Sequence, residues 1–150
     1  MMKNFVFSLH ALLEMKEVFK DKVQAEHVAA EAALDKALET MTCLERTWEK
    51  ENEQYEQIVK KGISPMDLET YSLYFEELQE MVVAAAQEVS HAQEDVSRKQ
   101  EALIELFKEI KILEKLRQKQ YGEYLSEVKK QENNINEDIL SFNVTESVAE

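Results

Sequence analysis

The seven residues Lys61-Gly62-Ile63-Ser64-Pro65-Met66-Asp67 constrain this chain more than any others. They hold its only proline and one of its two glycines. Gly62 can take the left-handed backbone that ends a helix. Ser64 is suited to cap the next one, because its hydroxyl accepts an orphan backbone N–H. Pro65 falls at the first helical position, where its fixed φ fits and its missing N–H costs nothing. Asp67 completes a pattern like a capping box, and Ile63 and Leu68 stand where a hydrophobic staple would pack. A stop and restart this short between two long helices predicts an antiparallel helical hairpin.

The remaining composition agrees. A third of the residues are charged, and sheet-type turn chemistry is scarce. The predicted fold is all-α, a long two-helix antiparallel coiled-coil hairpin with its turn at about 62–66. Helix 1 is expected over about 5–61 and helix 2 over about 65–135, making one hairpin of residues 1–136. Residues 137–150 read as a flexible acidic tail, because Asn133, Asn134 and Asn136 are poor helix formers.

In the first helix a three-four spacing runs Leu9, Leu12, Phe19, Val23, Ala30, Ala33 and Ala37, with Lys16 and Glu26 at the two polar positions. It then shifts by one residue and resumes as Met41, Leu44, Trp48, Tyr55 and Ile58, with Glu51 the exception. The second helix is more regular: Leu68, Tyr71, Phe75, Leu78, Val82, Ala85, Val89, Ala92, Val96, Lys99, Leu103, Leu106, Ile110 and Leu113. Beyond Leu113 the pattern weakens through Arg117 and returns near Tyr121, Tyr124 and Val128, with bending or fraying expected at Gly122. Folding at the turn pairs positions that sum to about 127. Trp48 then meets Leu78 and Gln79, Tyr55 meets Tyr71 and Ser72, and Lys16 and Lys20 approach Lys108 and Lys111.

Net charge is −13, which argues against binding nucleic acid or an anionic membrane. The charge is uneven. Residues 1–24 with 98–130 carry a net +4, residues 25–97 a net −12 and residues 131–150 a net −5. A mildly basic end is therefore expected, with Lys16, Lys20, Lys22, Lys108, Lys111, Lys115, Arg117 and Lys119 close together. Complementary charge of this kind sets orientation and on-rate toward a partner. A second candidate surface lies near the turn, where Trp48, Tyr55, Tyr71, Tyr74 and Phe75 cluster. Leu73 and Tyr74 fall off the seam and suggest a docking patch.

Nothing in the chain reads as an active site. His10, His27 and His91 do not converge, and no His-x-x-x-His or Glu-x-x-His spacing or glycine-rich phosphate loop appears. Cys43 is the only cysteine and is expected to pack beside the seam. No catalytic residues, cofactor or metal are expected, so the chain should act by binding rather than as an enzyme. No apolar run spans a bilayer. The stretch Phe5 to Leu9 reads as a hydrophobic lead-in to a helix, since His10, Glu14, Lys16 and Glu17 interrupt it too early for a signal peptide.

Phe5-x-Phe7-x-Leu9-x-x-Leu12-Leu13, a long charged helix after it, and Lys111-x-Leu113-Glu114-Lys115-Leu116 late in the second helix resemble the flagellar export protein FliJ family. The resemblance covers roughly residues 3–130, and the chain departs from the pattern at Gly122 and at the asparagines of 133–136. It implies a non-enzymatic part of the flagellar type III export apparatus, built like the central stalk of a rotary ATPase. The implied partners are the hexameric flagellar export ATPase, the export gate membrane protein and export chaperones. The implied location is cytoplasmic, peripheral at the cytoplasmic face of the inner membrane. Phe5, Phe7, Leu9, Leu12 and Leu13 match the motif and would lie at the ATPase ring, beside Lys16, Lys20, Lys108, Lys111, Lys115 and Arg117. The gate contact would fall on Trp48, Tyr55, Tyr71, Leu73, Tyr74 and Phe75. The competing readings are a generic structural or prefoldin-like chaperone coiled coil, and the equivalent stalk of a virulence-type secretion system.

Overall fold

The computed structural model describes residues 4–149. Two helices account for nearly all of them, α1 (His10–Lys61) and α2 (Pro65–Ala149), and no strand occurs among the described residues. The chain is an all-α antiparallel helical hairpin. The turn is built as its residues dictate. Gly62 has φ +103°, and its N–H donates to the Val59 carbonyl at 3.2 Å. The Ser64 hydroxyl accepts from the Asp67 N–H at 3.2 Å, and the Ser64 carbonyl accepts from the Leu68 N–H at 3.0 Å. Pro65 opens α2.

Two compact units form along the hairpin. One joins the chain up to Lys20 to the chain from Glu105; the other is Asp21–Ile104. The core of the first is Phe7, Leu13, Ile110 and Leu113, with Phe5, Leu9 and Leu116 packed against it. The second is held by a seam in which Ala30, Leu78 and Ala85 are the buried residues.

The seam of α2 is the expected one. Every position from Tyr71 to Leu113 is buried or half-buried, and only Leu68, beside the turn, stays exposed. The seam of α1 differs from the expected frame. Its seam runs Leu13, Lys16, Lys20, Val23, His27, Ala30, Leu34, Ala37, Met41 and Leu44, then Glu51, Tyr55 and Ile58, with Glu26 and Asn52 half-buried at its edge. This is one unbroken three-four repeat, so no shift follows Ala37. Leu12, Phe19 and Ala33 lie just outside it, exposed, and Leu13, Lys20 and Leu34 take their places. Lys20 and His27 can occupy seam positions because their apolar stems pack while their polar ends reach the edge.

Four further expectations are corrected. Helix α1 starts at His10, not near residue 5. The Phe7 carbonyl accepts from the His10 N–H at 3.1 Å, so the preceding residues form a turn rather than helix. Helix α2 does not end near 135 but runs to Ala149. Asparagines cost only tenths of a kcal/mol each, and a running helix needs no new nucleus. No proline or further glycine follows Gly122 to stop it. Residues 129–148 are all exposed. Past Leu113 the half-buried side chains are Leu116, Gln120, Tyr124 and Val128, so Tyr124 and Val128 are covered as expected, whereas Tyr121 stays exposed and meets the chain through its ring. The partner there is no longer a helix but the lead-in, whose Phe5 ring sits 5.1 Å from Tyr121 and 5.6 Å from Tyr124. Cys43 is exposed rather than packed beside the seam.

An ion pair crosses the seam of the second unit. Lys99 Nζ donates to Glu26 Oε2 at 2.7 Å. Lys99 is the polar position of the α2 seam, and Glu26 stands half-buried beside His27 at the edge of the α1 seam. The hydrogen bond from Lys99, and then its charge, hold the Glu26 carboxyl below the usual glutamate range. A carboxyl depressed in the folded state adds stability above the ordinary glutamate pKa and loses it as pH falls through the lower folded value. Acid titration of the unfolding midpoint should therefore show a loss at the low-pH end that Glu26→Gln removes. An unchanged acid profile in that variant would contradict the pairing.

Candidate functional site

Two surfaces follow from the residues singled out above, one in each unit. In the unit containing the chain start, the N-terminal motif divides in two. Phe7 and Leu13 are 5% and 3% exposed, and Leu9 and Phe5 pack on the same cluster. They fasten the lead-in to α2 and present little to a partner. Leu12 is 36% exposed and Val6 80%, so these carry the motif's outward apolar surface. Val6 was not singled out from the sequence, because the alternation Phe5, Phe7, Leu9 masks it.

The cations of this unit also divide. Lys16 Nζ lies 2.6 Å from Glu109 Oε2. That oxygen is buried from water, and the lysine charge beside it is what neutralises it. The Lys20 ammonium lies 5.8 Å from the centre of the Phe107 ring. The expected approach of Lys16 and Lys20 to Lys108 and Lys111 is thus resolved by the neighbouring residues, an acid and an aromatic. Lys108, Lys111 and Lys115 are exposed, and their three-four spacing puts them on one stripe of α2. That stripe faces away from the inward row Leu106, Ile110 and Leu113. Ile112, 66% exposed, stands beside it and is an apolar contact that the seam pattern alone could have revealed. Arg117 is turned to another side and lines an apolar cavity of about 470 Å³ with Phe5, Val6, Phe7, His10 and Tyr121.

In the other unit the aromatic cluster is real but is not one surface. Tyr55, Tyr71 and Phe75 pack on one another, with Tyr55 5.3 Å from each of the other two rings. They close the seam before the turn. Tyr74 leans on Phe75 at 6.0 Å and remains partly exposed. Leu73, 61% exposed, points away from the seam. Trp48 opens on the opposite flank from Tyr74, in grooves that it shares with Ser72, Glu76 and Gln79. The helical positions of 72, 76 and 79 relative to 74 require that separation.

Among the described residues, no group of His, Cys, Asp and Glu is placed to hold a metal ion. No helix among them is long and apolar enough to cross a membrane.

Compared with known proteins, the chain matches the family model described as "Flagellar FliJ protein" over residues 5–147. No curated protein matches it, and no solved structure does. The match includes both the Phe5–Leu13 motif and the basic stripe of α2. The chain belongs to the flagellar FliJ protein family, and so to the components of flagellar protein export.

Proposed function

We propose that the chain is a non-enzymatic stalk of the flagellar export apparatus. The unit holding the start of α1 and the later half of α2 enters the ring of the hexameric export ATPase and stimulates it. The observation that carries this reading is the division of that unit's side chains. Phe7, Leu13, Ile110 and Leu113 lock the chain start to α2, while Leu12, Val6, Ile112, Lys108, Lys111 and Lys115 are left outward. An outward basic and apolar face suits this entry, which requires carboxylates on the ring surface that it meets. Long-range charge steers it in, and apolar contacts hold it.

The mechanism is mechanical. An asymmetric stalk touches each subunit of a symmetric ring differently. It biases their conformations by its differential contact energy and by no more than that. The chain hydrolyses nothing itself. The export gate is the partner of the surfaces around Leu73, Tyr74 and Trp48, which places the protein peripherally at the cytoplasmic face of the inner membrane. Export chaperones are further partners. A structural coiled coil or a prefoldin-like chaperone would have no reason to meet the ring.

Copurification tests this. The wild-type chain should comigrate with the cognate ATPase hexamer held by a non-hydrolysable nucleotide. Lys108→Glu/Lys111→Glu should shift most of the chain to the free fraction while keeping its helical circular dichroism. Absence of the wild type from the hexamer fraction would reject the stalk.

A further inference from the structure

Trp48 occupies a seam position of α1 but is 40% exposed. It is the one position of the repeat between Leu13 and Ile58 that stays open. Two grooves meet at its indole. One, about 290 Å³, is walled by Glu45, Glu49, Gln79 and Val82. The other, about 420 Å³, is walled by Tyr55, Ser72, Phe75, Glu76 and Gln79. The floor is aromatic, and Glu45, Glu49 and Glu76 stand at the rim. No basic side chain lines either groove. The cations nearest in sequence, Arg46 and Lys50, lie roughly 200° round the helix from Trp48. Among the described residues none of the three rim carboxylates makes an ion pair, and the indole has no ring or cation over it.

We infer that this groove takes the arginine side chain of a basic protein segment. A guanidinium is planar and weakly hydrated, so it stacks on an indole face while its edge forks to carboxylates. Lysine offers a point charge without the stacking plane. A purely apolar ligand would strip water from three carboxylates without compensation. A phosphate-bearing ligand would be repelled. The chemistry rests on the groove alone; only the arginine's ownership by the export gate rests on the stalk reading.

Trp48 is the only tryptophan, so its emission reports on this groove. The full chain is titrated at low salt with a capped tetra-arginine peptide and its tetra-lysine counterpart, with calorimetry in parallel. The arginine peptide should change Trp48 emission saturably and bind at least about threefold tighter than the lysine peptide. Glu45→Gln/Glu49→Gln/Glu76→Gln should weaken it roughly tenfold. The equally charged variant Glu94→Gln/Glu101→Gln/Glu105→Gln should change it less than about twofold. Equal weakening in the two variants would mean attraction to net charge alone and would overturn the inference. So would calorimetric binding without an emission change, or no binding by a chain with intact helical circular dichroism. A concentration-dependent emission change without peptide would assign the groove to a second copy instead, also overturning it. Peptide binding that persists when ATPase comigration fails would reject the stalk and leave the groove standing.

Discussion

Leu13→Ala is expected to destabilise the unit at the chain start by about 3 kcal/mol, more than a hundredfold in its opening equilibrium. Leu13 is among the most deeply buried side chains, in contact range of Phe7, Ile110 and Leu113. A two-helix unit has no second layer that could collapse into the void. The adjacent Leu12→Ala should cost less than about 1 kcal/mol, because that side chain already meets water. Hydrogen exchange locates the effect. In Leu13→Ala the amides up to Lys20 and from Glu105 should lose protection, while those of Asp21–Ile104 keep it. Similar losses in the two variants would mean that the motif is not divided between packing and contact. The pair also separates two roles that the sequence joins. Leu12→Ala should weaken ring stimulation in a chain that remains folded.

That division shows where the sequence stops being legible. The turn was readable because each of its residues has a single backbone use: Gly62 for positive φ, Ser64 for the cap and Pro65 for the first helical position. The seam of α2 was readable because apolar residues fall only where one frame allows them. In α1 two adjacent frames both offer apolar residues, Leu12 or Leu13 and Ala33 or Leu34. The frame richer in apolar residues required a break after Ala37. The actual frame needs none, but it places Lys20 and His27 in the seam. Amphipathic side chains made the correct answer look less hydrophobic than the wrong one. The far end of α2 is hard to read from the sequence for a different reason. Low propensity at three asparagines is a weak local cost, and nothing after Gly122 actively ends a helix.

The candidate surfaces were legible as sets of residues but not as faces. Spacing grouped Lys108, Lys111 and Lys115 correctly, whereas Arg117 differs from Lys108 by about half a turn and belongs to a separate cavity. Lys16 was expected among cations. A register differing by about two residues from the expected one gives it Glu109 instead. Trp48 and Tyr74 are both aromatic and near the turn, but the seam runs between them. Sequence distance carries no information about which flank a residue takes until the frame is fixed.

The larger functional effect concerns the basic stripe. Reversing Lys108 and Lys111 changes the outward charge by four while leaving the buried cluster untouched, since both side chains are exposed. Charge reversal on an exposed docking face acts first on encounter and orientation, so the loss should be greatest at low salt. The decisive measurement is ATP hydrolysis by the cognate flagellar export ATPase with and without this chain, at two ionic strengths, with Lys108→Glu/Lys111→Glu in parallel. A stalk entering the ring by this unit predicts stimulation by the wild type and about a tenfold higher concentration requirement for the variant. No stimulation by a folded wild-type chain that the ATPase also fails to bind would contradict it.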